Sequence, residues 1–238
     1  MERLLIINAD DYGFTSGVNE GIIQAHAEGV VSSTSVMVRE RAAGEAGALK
    51  EYPELSVGLH FQIGDKALEA AVRAGEQLSP EDITALKADF AAQLDLFREL
   101  AGAEPTHIDG HYSVHLHPDV VPLLDEYCRD RGIPRRGIDA AFIKEYFAWD
   151  ASGAKDVERV SPEALLAIID ELGEGINELM CHPGLADDEL RSVSRYVEER
   201  QIEVGTLTDL RVLERFEQAD IELINWSDPR IQKSQLGV

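Results

Sequence analysis

The chain has 238 residues, 44% of them hydrophobic, and carries 45 acidic side chains against 22 Lys plus Arg, a formal charge of −23. Such a surface repels phosphate backbones and anionic headgroups, which excludes a nucleic-acid binder and a polybasic membrane-surface protein. No apolar run reaches the roughly 18 residues of a membrane span, and Met1-Glu2-Arg3 leads into a strand-like run instead of a signal peptide, so a cytoplasmic protein is expected.

Leu4 to Ala9 is a continuous apolar run bounded by Asp10-Asp11 and Gly13, as suits a strand covered on both faces. A helix capped by Ser16 follows, with Val18, Ile22, Ile23 and Ala25 on one side, ending near Gly29. The pattern then repeats: strand Ser33 to Val38, helix Ala42 to Glu51, strand Leu55 to Phe61, and a long helix from Pro80 to Leu100 started by Ser79-Pro80-Glu81-Asp82. After Pro105 come a strand from Thr106 to Asp109, a His-rich loop, and a helix from Pro118 to Arg131. The spacing further predicts a strand within Gly137 to Ile143, a helix Pro162 to Leu172, a strand Ile176 to Cys181, a helix Asp209 to Gln218 and a last strand Ile221 to Ile224. Gly64 to Leu78 and Tyr146 to Val160 lack periodicity and read as loops over a site.

Strands alternating with helices imply βα units and a parallel sheet. Seven strand-like runs without a G-x-G-x-x-G turn suit a (β/α) barrel better than a dinucleotide-binding sheet. Length and the lack of a convincing linker make residues 1–238 one domain. Two distant cysteines, Cys128 and Cys181, provide neither a disulfide framework nor a clustered zinc site.

Barrel enzymes place reactive groups where strands end at their C-terminal edge, and every polar cluster here falls at such an edge. Asp10-Asp11 ends the first strand. Two adjacent carboxylates after a buried strand repel unless a cation or hydrogen-bond donors hold them, although a helix cap would also account for the pair. His60 ends another apolar strand; alone it is as well read as a satisfied core residue. In His107-Ile108-Asp109-Gly110-His111 extended geometry turns positions 107, 109 and 111 to one side. Four of the seven histidines lie in the eleven residues His107 to His117, too many for packing alone, with His115 and His117 divided between capping and a substrate role. His182, after Leu179-Met180-Cys181, has an intrinsic pKa near 6.5 and is a candidate proton donor, with His107 a weaker one. Strand alternation turns Cys181 away from it, so a buried structural thiol is expected there.

Asn8-Ala9-Asp10-Asp11-Tyr12-Gly13, Gly58-Leu59-His60-Phe61, Thr106 to His115 and Leu179-Met180-Cys181-His182-Pro183-Gly184 together resemble the YdjC-like carbohydrate deacetylases, over nearly the whole chain. The resemblance implies an irregular (β/α) barrel of the glycoside hydrolase/deacetylase superfamily, a divalent metal usually taken as magnesium, and removal of N-acetyl groups from amino sugars. Carried over residue by residue, it assigns metal ligation to Asp11, His60 and His111, the general base to Asp10, the acid to His182, and the orientation of a catalytic carboxylate to Arg136. Neither spacing nor chemistry separates Asp10 from Asp11. The Gly64 to Leu78 segment and Tyr112-Ser113 depart from the family pattern.

Oxygen and imidazole donors tolerate magnesium, manganese and zinc alike. The expected partner is an N-acetylated amino sugar or short oligosaccharide, and apolar surface on the outer helices points to self-association. Two rivals stand beside this reading: a metal-dependent phosphoesterase, disfavoured by the early Asp-Asp in place of His-x-His and by the net charge, and a non-catalytic sugar or metal sensor. Only six of the basic residues are lysines, which fits either adaptation to high salt or an ordinary acidic enzyme. On the first reading the melting temperature rises with added KCl; on the second it stays flat.

Overall fold

The computed structural model describes residues 2–150 and 152–231. Its sheet strands are β1 (Arg3–Tyr12), β2 (Ser33–Val36), β3 (Ser56–Phe61), β4 (Ile108–Gly110), β5 (Ala141–Ile143), β6 (Gly175–Cys181) and β7 (Glu222–Leu223). All pairings are parallel, in the order β4-β3-β2-β1-β6-β5, with β7 also on β1. The segment from Pro134 to Ile143 draws the two edges of this curled sheet together. It begins on β4, where the Ile108 and Arg136 N–H groups bond across to Pro134 and Ile108, and ends on β6 through β5. The result is the irregular α/β barrel that the alternating pattern predicts.

Around it lie α1 (Ser16–Ala27), α2 (Lys66–Arg73), α3 (Pro80–Ala101), α4 (Val121–Arg131), α5 (Pro162–Asp170), α6 (Asp188–Val193), α7 (Glu198–Leu207) and α8 (Leu210–Gln218). Each expected strand is present, within a few residues of its expected bounds. Three expectations are corrected. Thr15, not Ser16, caps α1 by accepting the Val18 N–H, while Ser16 bonds Glu45. Ala43–Glu51 winds as 3₁₀ turns. Gly64 to Leu78 contains α2, capped by Asp65; it runs for only two turns and buries Val72 alone, too short a stretch for its period to stand out. No helix among the described residues is long and apolar enough to cross a membrane.

Alternation along the strands sorts the interior by height. On β1, Leu5, Ile7 and Ala9 join the core under the helices, while Leu4 and Ile6 join Ala140, Ile224, Trp226 and Ile231 in a second apolar cluster. That second cluster closes the barrel from below. Trp226 is anchored there by the Ser56 hydroxyl and stacks on His107 at 5.2 Å, and a Cβ at Gly58 would lie 2.3 Å from the His107 ring. The next inward positions, Asn8, Asp109 and Glu178, are polar and fully buried, and the ends of β1, β3 and β4 above them carry Asp10, His60 and His111.

Gly17 and Gly21, one turn apart on α1, let that helix lie against the chain after β6. A Cβ at Gly21 would fall 2.4 Å from Gly184 Cα, so the helix gains no room for a side chain. Gly21→Ala should cost about 1–3 kcal/mol of stability through overpacking, exceeding the roughly 1 kcal/mol that alanine returns in helix propensity. A lowered urea midpoint checks this.

Candidate active site

In a regular strand Asp10 and Asp11 would face opposite ways. Here β1 bulges between Ala9 and Tyr12, where the partners on β2 advance only from Thr34 to Val36, and Asp11 adopts φ 72°. Both carboxylates therefore reach the mouth of the barrel. The turn is secured by Gly13 (φ 97°), whose N–H donates to Asn19 and where a Cβ would lie 2.8 Å from the Met37 carbonyl. Tyr112 and Ser113, beyond β4, are the other described non-glycine residues with positive φ, at 52° and 57°. All three strained residues line one cavity of about 680 Å³, together with Asp10, His60, His111 and His182.

The two carboxylates have separate partners. Arg136, wholly buried, donates from Nη2 to Asp10 Oδ1 (2.6 Å) and from Nη1 to Oδ2 (2.7 Å), and Asn8 adds a third bond to Oδ1 at 2.8 Å. The same guanidinium reaches Asp109 (2.9 Å) and Glu178 (2.9 Å). Asp11 instead accepts from Arg200 Nη2 at 2.5 Å on Oδ2, which leaves Oδ1 buried without a hydrogen-bond donor among the described residues. That oxygen lies 3.3 Å from His60 Nε2 and 3.4 Å from His111 Nδ1, and the two nitrogens are 3.4 Å apart. Three donor atoms on so small a triangle could all touch one cation at the usual 2.0–2.2 Å or so. His60 is turned for that role, since its Nδ1 faces Asp109 at 2.8 Å and the Ser35 hydroxyl at 3.1 Å, freeing Nε2 toward Asp11.

Burial would raise the Asp11 carboxyl, but Arg200, His111 and His60 hold it well below the ordinary value. Burial would lower His60, yet Asp109, Asp10 and Asp11 raise it to about 9. His182 is pushed down to about 4 by burial, so the resting imidazole is neutral at pH 7, and its Nδ1 has no partner among the described residues. This changes the expected picture of a histidine poised near 6.5.

The remaining expected residues sort by height. His107 is one level too low to be a donor: it is fully buried over Trp226 and lowered to about 3 by burial. His115 is buried beneath the mouth, also lowered to about 3 by burial, and His117 accepts the Asp119 N–H in the turn before α4. Cys181 is fully buried with its Sγ toward the Asn8 carbonyl, and burial pushes the thiol well above its ordinary value. The Tyr146 to Val160 loop does cover the cavity, through Phe147 and Trp149.

The YdjC-like protein family model matches residues 4–218. A carbohydrate deacetylase of Geobacillus stearothermophilus is 33% identical over 96% of this chain and 98% of its own. The chain belongs to the YdjC-like family. A chitooligosaccharide deacetylase of Serratia marcescens is 36% identical over 87% of this chain and 92% of its own. A solved structure from Enterococcus faecalis V583, assigned provisionally to cellobiose-phosphate cleavage, superposes with a TM-score of 0.73 at 26% identity, covering 95% of this chain and 98% of that one.

Two features of this YdjC-like site escape the sequence reading. Arg200 and Glu203 lie on α7, in a stretch given no element, although charged residues at the inward positions between Val197 and Leu207 break an otherwise apolar face and could have marked it. The cavity is also locally cationic: Arg73, Lys144, Arg195 and Arg200 line it, and its two carboxylates are each held by an arginine. The overall charge of −23 therefore gives no argument against anionic groups at this mouth.

The buried groups set a pH profile for the protein stripped of metal with a chelator. Below their unfolded pKa near 6.5, His107, His115 and His182 cost stability, because only the unfolded chain takes up their protons. Glu178 and Glu203, raised by burial to about 8 and 7, act oppositely above about 4.5, because only the folded chain keeps theirs. Between about pH 4.5 and 6.5 the three imidazoles outweigh the two glutamates by one group. Urea midpoints should rise gently with pH there, fall more steeply below it as the imidazoles act unopposed, and fall above it as the glutamates and His60 do, by about 1.4 kcal/mol per pH unit for each fully titrating group.

Proposed function

We propose that the chain is a metal-dependent carbohydrate N-deacetylase acting on N-acetylated amino sugars or short chitooligosaccharide-like chains. The observation that carries this reading is the orphaned Asp11 Oδ1 facing His60 Nε2 and His111 Nδ1, beside an Asp10 that Arg136 holds rigidly. The carbohydrate and chitooligosaccharide deacetylases at 33% and 36% identity support the same chemistry.

Asp11, His60 and His111 would hold the metal, and the two imidazoles weigh the donor set toward zinc or manganese relative to magnesium. Bound there, a divalent cation supplies Lewis acidity toward water and the acetyl carbonyl. Asp10 takes the proton of the attacking water. Three of its roughly four acceptor positions are filled by Arg136 and Asn8, so one remains, on Oδ2, for that proton. Arg136 fixes the direction of that lone pair and keeps Asp10 from turning toward the metal ligands. His182 is neutral at rest, so the proton that it delivers to the departing nitrogen is the one Asp10 has drawn from the attacking water, taken up by the imidazole and then released to the amine.

The phosphoesterase rival calls for a second metal. The group that could hold one, Asp10, His60 and Asp109, already carries Arg136 across both carboxylates, which opposes a further cation.

After chelation, acetate release from N-acetylated chitooligosaccharides should vanish and return with single added metals; release of phosphate from a mixed panel, with no acetate, would sink the reading. Asp10→Asn should retain bound metal while kcat falls about 10²- to 10⁴-fold. His60→Ala and His111→Ala should lose both metal and turnover, as metal analysis of the dialysed proteins will register.

A further inference from the structure

Glu203 is wholly buried, and none of the steps above uses it. A carboxyl in such a place is costly unless donors satisfy it, and a leucine would fill the same space at no such cost. Its two oxygens reach different parts of the site. Oε2 accepts the His182 N–H at 2.5 Å, and Oε1 accepts the Tyr196 hydroxyl at 2.5 Å. That hydroxyl accepts the Ala148 N–H in turn, at 3.1 Å.

The residues on either side of Ala148 form one wall of the cavity. Phe147 stacks on Tyr196 with centroids 5.0 Å apart and planes 5° from parallel, and Trp149 closes the group at 6.0 Å from Tyr196. The His182 ring lies 5.4 Å from Phe147 and 5.8 Å from Tyr196. Among the described residues Trp149 Nε1 is buried without a partner, as expected of a donor awaiting a polar ligand in the cavity that it lines. Three residues before Glu203 on the same face of α7, Arg200 grips Asp11.

We propose that Glu203 is a positioning residue, locking the His182 main chain and the Phe147-Tyr196-Trp149 wall into one arrangement, so that the surface receiving the sugar ring and the proton-carrying imidazole are set together. The inference rests on the deacetylase reading for its kinetics, but not for its structural readout. Neither Glu203 nor Tyr196 is bonded to the Asp11, His60 and His111 triangle, so metal content should be unaffected by their replacement.

Three variants test it. Tyr196→Phe keeps the stacked ring but frees the Ala148 N–H, and should raise KM for N-acetylated chitooligosaccharides up to about tenfold with kcat little changed. Glu203→Leu also frees the His182 N–H and should lower kcat by about 10²-fold as the imidazole shifts. Glu203→Gln, whose carbonyl can keep the His182 N–H, should recover much of that loss. Independently of turnover, acrylamide should quench tryptophan emission more strongly in Tyr196→Phe and Glu203→Leu than in the native protein, and Trp149→Phe should abolish the difference, because Trp226 is buried beneath the barrel. If Glu203→Leu does not fold, Tyr196→Phe decides. Native kinetics and native quenching in Tyr196→Phe overturn the proposal, as does loss of metal in step with turnover. A native protein that releases no acetate overturns the deacetylase reading alone and leaves the quenching comparison to judge Glu203.

Discussion

The guanidinium of Arg136 is the constraint around which this barrel is organised. Asp10, Asp109 and Glu178 converge on it from β1, β4 and β6, all out of water. Three carboxylates on one cation exceed what the interior tolerates in ionised form, and Glu178, raised to about 8, relieves the excess by staying protonated at neutral pH. The pairing also divides labour between the adjacent aspartates. With Asp10 committed to Arg136, only Asp11 has an oxygen free for the two imidazoles. Buried ion networks of this kind contribute little net stability; their use here is to fix which atom points where.

Much of this was legible in the residues. The βα alternation follows from apolar runs of strand length separated by capped helices, and the one-sided display of His107, Asp109 and His111 follows from strand geometry. Alternation fixes direction but not depth. Those three residues do share a side, yet they sit at three heights, and only His111 reaches the mouth. Strand periodicity alone would also have split Asp10 from Asp11; the bulge with Asp11 at positive φ that unites them has no local signal beyond the polar pair itself. α7 has no counterpart among the expected elements: Arg200 and Glu203 break its apolar face, and their burial makes sense only through their long-range partners, Asp11 and the His182 N–H.

Net charge was the least transferable part of the reading. A chain at −23 holds a cavity whose rim carries Arg73, Lys144 and Arg195, because acidic residues concentrate on the outer surface. Global composition governs solubility and long-range encounter, whereas a ligand in a cleft meets the few charges that line it. Arg73 also lies over the exposed Tyr112 ring at 3.8 Å, and Arg195 over Trp149 at 5.4 Å, so the rim joins cations to aromatic faces on both sides.

The placement of β1 bears on how the molecule is made. It precedes the other strands of this sheet in chain order, yet its longest partner is β6, and the lower half of its other edge is filled by β7, the last of them. Leu4 and Leu5 therefore gain strand partners on both edges only once β6 and β7 have come into place. Closing the sheet there fixes a long stretch of chain before the pairing is gained, which makes it a slow and entropically costly step of folding.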